Sequence, residues 1–227
     1  SGYREAVVNC QRIHVETALS KLIESYIDKD KKEPPVVIKD DKYLPVLVHG
    51  VQAMSIGYLT KHNSPLIWRG PMLAKSLIQM LDITLWNNLD YLIIDLPPGT
   101  GDIPLTLAQR VPLTGAVIVT TPQDLSVADA TRAANMFEKV GVRLLGLIEN
   151  MAYFTPEELP DNKYYLFGKE GGKHLASEYD LAFLGQIPLV QSIREGGDEG
   201  VPAMVGNDAI SKKAFTEAVS AAVRNIA

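Results

Sequence analysis

The chain has 227 residues, a formal net charge of −5 and one cysteine, and this length suffices for one large α/β domain with a substantial core. Its 22 lysines and arginines are spread along the sequence, which argues against DNA or RNA as a partner. A single cysteine excludes an intrachain disulfide and a CxxC metal site within one chain. No apolar run has the length of a transmembrane helix and no signal-peptide pattern is present, so the sequence predicts a cytoplasmic protein without a membrane partner.

The charged run at residues 28–33 and the two prolines that follow it are typical of a solvated linker. We therefore expect an N-terminal helical segment or linker over residues 1–35 and an α/β domain over residues 36–227.

Short apolar runs in the second part fit strands that are covered on both faces, as in a parallel sheet. These runs are residues 51–57, 91–96, 115–121, 144–150 and 182–188. Helical patterns lie at 71–82, which begins at Pro71, and at 125–140, where Ser126 and Asp129 have the spacing of a capping box. The repeated order of strand, crossover helix and strand predicts a doubly wound α/β fold, with a mainly parallel sheet and helices on both faces.

The C-terminal residues 208–226 have the pattern of an amphipathic helix. Its apolar face comprises Ile210, Ala214, Phe215, Ala218, Val219, Ala222, Val223 and Ile226. Such a helix can dock on the domain core or lie on a membrane surface. The polar face is only weakly basic, which favours docking.

The stretch DLPPGTGD, residues 95–102, ends an apolar run with an aspartate and continues into a loop rich in proline and glycine. In a parallel sheet Asp95 would lie at the carboxyl end of its strand, where its carboxylate can orient waters on Mg²⁺. Gly99 and Gly101 would let backbone N–H groups approach a phosphate, and Thr100 adds a hydroxyl. An aspartate that hydrogen-bonds its own turn explains the same pattern equally well.

Residues 89–151 closely resemble the Mrp (ApbC) group of P-loop ATPases, relatives of MinD that act as iron–sulfur cluster carriers. The similarity continues upstream through MSIGYL and WRGPM and downstream through FGKEGG, LGQIPL and SIREGGDEGVP, so it covers about residues 36–205. The resemblance implies a P-loop NTPase fold, ATP and Mg²⁺ as cofactors, a homodimer, and iron–sulfur apo-proteins or scaffolds as partners. It also implies a [4Fe-4S] cluster as cargo.

The same resemblance assigns roles to individual residues. Asp95 is then the Walker B residue that serves Mg²⁺ and hydrolysis, and residues 97–102 form the second switch. Asn150 and Pro188 lie where the family contacts the adenine base. Arg69, in WRGP, would stabilise phosphate charge near the dimer face, and an ordinary surface arginine beside a core tryptophan is the alternative.

Two departures from the family pattern concern the phosphate site and the cluster site. The sequence contains no Walker A loop: residues 1–30 hold one glycine, and FGKEGGKH at 167–174 has the wrong spacing and predicts a turn and helix start. We therefore expect a missing sheet element or a chain break before residue 36. The family's CxxC segment reads AYFTPEELPDNKYY at 152–165, where no thiolate can hold a cluster.

Three explanations of the absent loop remain open: a fragment, a degenerate relative, or a rebuilt N-terminus. The retained switch residues favour the first, and the chain as given is predicted to be a weak or inactive ATPase. The leading hypothesis is a Mrp-like ATP-binding iron–sulfur cluster carrier. The alternatives are a noncatalytic binding module of the same fold and a MinD- or ParA-like positioning ATPase, which the acidic balance disfavours.

Overall fold

The structure, a computed structural model, describes residues 5–9, 38–39, 41–55, 70–96, 102–156, 158–159 and 161–226. The strands in these ranges are β1 Glu5–Asn9, β2 Ile38–Lys39, β3 Lys42–Tyr43, β4 Val46–Val48, β5 Val51–Ala53, β6 Tyr91–Asp95, β7 Gly115–Thr120, β8 Leu144–Glu149 and β9 Phe183–Gln186. The helices are α1 Gly70–Ile83, α2 Asp102–Arg110, α3 Asp124–Lys139, α4 Gly171–Glu178, α5 Gln191–Glu199 and α6 Ala209–Ile226. Within these ranges, no helix is both long enough and apolar enough to cross a bilayer.

Five strands form one parallel sheet in the order β6-β1-β7-β8-β9. Successive side chains of a strand point to opposite faces, and the sheet is accordingly covered by two apolar layers. One layer packs Ala116 and Ile118 with residues of α1 to α4, and the other packs Val117 and Leu145 against α6. The predicted α/β fold is confirmed, and the predicted strands at 91–96, 115–121, 144–150 and 182–188 all belong to this sheet.

Strand β1 lies at the centre of the sheet, between β6 and β7. It pairs with β6 along its whole length, so that Asn9 is in register with Asp95, and on its other side Asn9 pairs with Val117. The sequence pattern predicts that a sheet element is missing before residue 36. This prediction is wrong for the strand, because β1 lies in that region and belongs to the sheet. The stretch EAVVN is short and has polar ends, so its own pattern is too weak to predict a strand. Its pairing with β6 and β7, which lie far along the chain, stabilises the strand. The division of the chain after residue 35 stays a prediction.

Strand β5 does not join the parallel sheet, contrary to the prediction for residues 51–57. It pairs antiparallel with β4 in a separate two-stranded sheet. The two residues between these strands, His49 and Gly50, both have positive φ, 48° and 78°, as type I′ hairpin turns require. Val51 is 64% exposed, so this apolar run is not covered on both faces. Residues 56–57 lie outside the described residues.

Helix α3 lies where a helix is predicted, but it begins differently. Its predicted apolar face packs into the core through Ala133, Met136, Phe137 and Val140. The predicted capping box is wrong, because the N-cap position is held by Gln123 and has no side-chain cap. Ser126 instead accepts hydrogen bonds from Thr121 Oγ1 at 2.8 Å and Gln123 Nε2 at 3.2 Å, and Asp129 pairs with Arg132.

Helix α6 docks on the sheet, as predicted for residues 208–226. Ala218 is buried, and Ala221, Ala222 and Ile226 pack against the apolar layer on that face. The docked face is narrower than predicted, because three of its expected members are exposed: Ile210, Val219 and Val223.

Asp208 caps the first turn of α6, and its replacement by alanine should destabilise the fold. Its carboxylate accepts hydrogen bonds from the backbone N–H groups of Ile210 and Ser211 and from the Ser211 hydroxyl. We expect Asp208→Ala to lower the free energy of unfolding by about 1 kcal/mol at neutral pH. Urea denaturation measures this loss, and Asp161→Ala, at an exposed loop position, is the control.

The effect of Asp208 on stability should depend on pH. Partial burial raises the pKa of Asp208, but the hydrogen bonds from Ser211 and Ile210 outweigh it and hold the pKa below its ordinary value of 3.8. A carboxyl whose pKa is lowered on folding stabilises the folded state above its unfolded pKa, and this contribution is lost as the pH falls through the folded pKa. The difference between the parent chain and Asp208→Ala should therefore be full above about pH 5 and shrink below pH 3.8. A difference that grows on acidification would contradict this role.

Candidate functional site

Polar residues from four strands meet at the carboxyl edge of the parallel sheet. Asp95 ends β6, Thr120 ends β7 in register with Glu149 of β8, and Glu149 is in register with Gln186 of β9. Asn150 directly follows β8. The ends of β6 and β8 are three strand spacings apart, or about 14 Å at about 4.8 Å for each spacing. This edge can therefore bind an elongated ligand whose two ends need different chemistry.

Asp95 lies at one end of this edge, half-buried, and directly precedes the fully buried Leu96. Asp95 therefore lies at the end of a parallel strand, as predicted. Its role toward a metal stays a prediction. The other residues predicted for this end lie outside the described residues: Arg69, Gly99, Thr100 and Gly101.

Asn150 and Pro188 lie at the other end, where the β8–β9 pairing continues past both strands. Ile187 N–H donates to the Glu149 carbonyl at 2.9 Å, and Ala152 N–H donates to the Ile187 carbonyl at 3.0 Å. These two bonds place the chain around Asn150 beside the chain around Pro188, so the structure brings the two predicted base-contact residues together. Whether they contact a base stays a prediction.

The Asn150 side chain has a fixed orientation. Its Oδ1 accepts a hydrogen bond from Met151 N–H at 2.9 Å, and the backbone N–H of Asn150 donates to the Thr120 carbonyl at 2.7 Å. Met151 has a φ of 52°, a left-handed conformation that is costly for a residue with a side chain and is often found at functional sites. Because Oδ1 accepts from Met151 N–H, Nδ2 is the atom of the side-chain amide that would donate to a ligand.

Glu149 and its partner Gln186 lie at this edge and are not among the residues predicted from the sequence. Glu149 is fully buried, at 0% exposure. Its Oε2 accepts a hydrogen bond from Gly172 N–H and its Oε1 accepts one from Gln186 Nε2, both at 2.7 Å. The available signal was a glutamate inside the apolar run LLGLIEN, followed on the next strand by a glutamine at the matching end.

The start of α4 explains the glycine pair in FGKEGGKH. The helix begins at Gly171, as the turn and helix start predicted for residues 167–174 require. A Cβ on Gly171 would lie 2.1 Å from the Pro122 carbonyl oxygen, and a Cβ on Gly172 would lie 3.0 Å from side-chain carbons of Leu147 and Thr120. The glycines therefore let the helix N-terminus reach the strand ends, where Glu149 binds it.

The segment after Asn150 folds back on itself. Phe154 and Tyr164 exchange two backbone hydrogen bonds of 2.8 Å, and the Lys163 ammonium lies 3.9 Å from the centre of the Tyr153 ring. Across the part of the chain that the structure describes, no group of three or more His, Cys, Asp or Glu residues could hold a metal ion. The oxygen donors of the edge suit Mg²⁺, which needs few protein ligands and keeps waters and phosphate oxygens.

Comparison with known proteins identifies the family to which the chain belongs. The family model described as ParA, NUBPL iron-transfer P-loop NTPase, matches residues 23–226. An iron–sulfur cluster carrier protein of Synechocystis sp. is 51% identical over 173 residues, which are 76% of this chain and 49% of the relative. The iron–sulfur cluster transfer protein NUBPL of Dictyostelium discoideum is 46% identical over 179 residues, which are 79% of this chain and 55% of the relative. The chain thus spans about half the length of these relatives.

Solved structures agree with the family match. A nucleotide-binding protein in complex with ADP from Archaeoglobus fulgidus superimposes with a TM-score of 0.65 at 33% identity, covering 88% of this chain and 74% of that one. The cell division ATPase MinD of Pyrococcus furiosus, with a TM-score of 0.53 at 18% identity, covers 98% of this chain and 86% of its own and shares the fold. These findings confirm the resemblance to the Mrp group. The chain belongs to the ParA family of NUBPL iron-transfer P-loop NTPases.

Proposed function

We propose that this protein is an ATP-binding carrier that delivers iron–sulfur clusters to apo-proteins. The observation that carries the proposal is the carboxyl edge, where Asp95 lies about three strand spacings from the paired Asn150 and Pro188. A nucleotide has the matching asymmetry, with a metal-bound phosphate end and a base. The relatives named as iron–sulfur carriers, at 46–51% identity, support the cargo.

At the phosphate end, Asp95 is the residue that would hold Mg²⁺, and the ion would supply charge neutralisation at the phosphates. The family resemblance assigns the terminal phosphate to Gly99, Thr100, Gly101 and Arg69, which lie outside the described residues; their backbone N–H groups and the arginine charge would suit a phosphate. At the other end, Asn150 donates from Nδ2 to the base, and Pro188 packs beside it. The chain itself has no Walker A pattern, so phosphate anchoring is the weak part of this site.

The cluster is cargo and is shared with other thiols. The chain has one cysteine, whereas a [4Fe-4S] cluster takes four cysteine ligands in its usual form. The remaining ligands must be thiols outside this sequence, such as those of a second copy, of the donor or of the receiving apo-protein. A homodimer that binds apo-proteins satisfies this requirement.

A noncatalytic binding module is the second candidate, and the absence of a Walker A pattern favours it. The two functions separate in one assay, in which the chain is mixed with a [4Fe-4S] donor and the apo form of a [4Fe-4S] protein. A carrier should accelerate delivery, measured by the visible absorption of the acceptor, and Mg²⁺ with ATP should change the rate. If the chain binds nucleotide but does not change the rate of cluster delivery, it is a noncatalytic binding module.

Nucleotide binding itself can be tested at Asn150. The Asn150→Ala variant loses the Nδ2 donor and the bond that orients Met151, so we expect its Kd for ADP, measured by isothermal titration calorimetry, to rise about tenfold. The control is Asn162→Ala, at an exposed position of the following loop, which should leave the Kd unchanged. Equal affinities of the parent chain and Asn150→Ala would remove Asn150 from the site.

A further inference from the structure

We infer that Glu149 is a positioning residue that sets the preference of this site for adenine, an inference that rests on the proposed nucleotide-binding function. Glu149 does not contact the ligand itself, because it is fully buried beneath the carboxyl edge. It acts through the two chain segments that carry the base-contact residues.

The two hydrogen bonds of Glu149 join three elements. Gly172 N–H comes from the start of α4, and Gln186 Nε2 comes from the last residue of β9. A buried carboxylate is stable only where its oxygens accept hydrogen bonds. The ends of β8 and β9 are therefore joined by a side-chain hydrogen bond in addition to the backbone ladder.

Both bonded strands lead directly into the base-contact residues. Asn150 is the next residue after Glu149, and Pro188 is the second after Gln186. The backbone bonds of Ile187, to the Glu149 carbonyl and from Ala152, connect the same two segments. A change in the Glu149–Gln186 pair should therefore alter the spacing between Asn150 and Pro188.

That spacing matters for the choice of base. Proline has no backbone N–H, so the main chain of Pro188 can offer only a carbonyl acceptor, while Asn150 offers its Nδ2 donor. A carbonyl acceptor that faced the six-position of a bound base would match the amino group of adenine and oppose the oxygen of guanine. Mispaired polar groups in a closed site are what give strong discrimination between such ligands.

A simpler possibility is that Glu149 only attaches α4 to the sheet. In that case the loss of Glu149 would lower the fraction of folded protein and reduce the apparent affinity for all nucleotides equally. The positioning role instead predicts a change in the ratio of affinities for two bases, which a loss of folded protein cannot produce.

The conservative variant Glu149→Gln separates hydrogen bonding from charge. Its Oε1 can accept from Gly172 N–H, and its Nε2 can donate to Gln186 once the Gln186 amide turns over to present its oxygen. Both links are then kept without a charge. Glu149→Ala removes both links, and Gln186→Leu removes only the one to β9.

The experiment measures Kd for ADP and GDP on the full 227-residue chain and its variants, with circular dichroism to confirm folding. We expect the parent chain to prefer ADP at least tenfold, Glu149→Gln to keep this ratio within about twofold, and both Glu149→Ala and Gln186→Leu to lower it at least fivefold. If Glu149→Ala fails to fold, Gln186→Leu decides the result.

The outcomes separate this inference from the proposed function. An ADP to GDP ratio that is unchanged in Gln186→Leu, or a parent chain that binds both nucleotides equally, overturns the positioning role and leaves nucleotide binding intact. A parent chain that binds neither nucleotide overturns the proposed function and the positioning role with it.

Discussion

Replacing Gly171 by alanine should lower the free energy of unfolding by about 3 kcal/mol, a large part of the stability of a typical domain. The added Cβ would lie 2.1 Å from the Pro122 carbonyl oxygen and 3.1 Å from a Val127 methyl carbon. A backbone oxygen cannot move aside as the end of a flexible side chain can, so α4 must shift away from the sheet. Urea denaturation measures the loss.

The matched control for this substitution is Gly197→Ala in α5. A Cβ on Gly197 meets nothing within 4 Å, and alanine is the better helix former, so this variant should be neutral or stabilised by up to about 1 kcal/mol. Equal stabilities of the two variants would show that α4 can move without cost. Because Gly171 lies next to the Gly172–Glu149 bond, the destabilised variant should also bind ADP more weakly under conditions in which it is folded.

The second large effect concerns ATP hydrolysis. We expect the 227-residue chain to hydrolyse ATP negligibly, because it has no Walker A pattern to supply backbone donors and a lysine to the phosphates. Losing one such preorganised donor costs about 3 kcal/mol of transition-state stabilisation, or at least a hundredfold in rate. A version of the chain supplied with a phosphate-binding loop should hydrolyse ATP, and Asp95→Ala in that version should abolish the activity while leaving the fold intact.

The position of Asp95 means that Asp95→Ala tests catalysis separately from folding. It ends β6 and is only half-buried, so its truncation should leave the packed interior of the strand unchanged. Asp90→Ala, at the exposed position just before the same strand, is the control and should keep full activity. Phosphate release would be measured with and without Mg²⁺. Robust Mg²⁺-dependent turnover by the unmodified 227-residue chain, lost in Asp95→Ala, would contradict the prediction and require another phosphate site.

Apolar runs predicted four of the five strands of the sheet, because strands buried on both faces need consecutive apolar residues. Helical patterns predicted α1, α3 and α6, whereas α2 and α5 were not predicted. The strand prediction failed where the decisive contacts are distant or where a turn overrides the pattern. β1 is a strand because β6 and β7 flank it, and residues 51–53 form a hairpin because His49 and Gly50 adopt positive φ. A five-residue stretch carries no information about partners so far along the chain.

The sequence predicted part of the candidate site. Strand ends place Asp95, Asn150 and Pro188 at one edge, and the structure has them there. Glu149 was missed because its burial depends on a helix start and on a strand that come later in the sequence. A glutamate in an apolar run is ordinarily expected to be exposed, and only the two donors that meet it make its buried position stable.

The central place of β1 has a consequence for how the protein is made on the ribosome. Its partners Asp95 and Val117 follow Asn9 by about 90 and about 110 residues, which at about 5–20 residues per second means about 5–20 s of translation. During that time both edges of the EAVVN segment lack their partner strands, and unpaired edges are where strands of other chains can add. The sheet therefore closes late, and the yield of folded protein should depend on how well the nascent chain is shielded until β7 emerges.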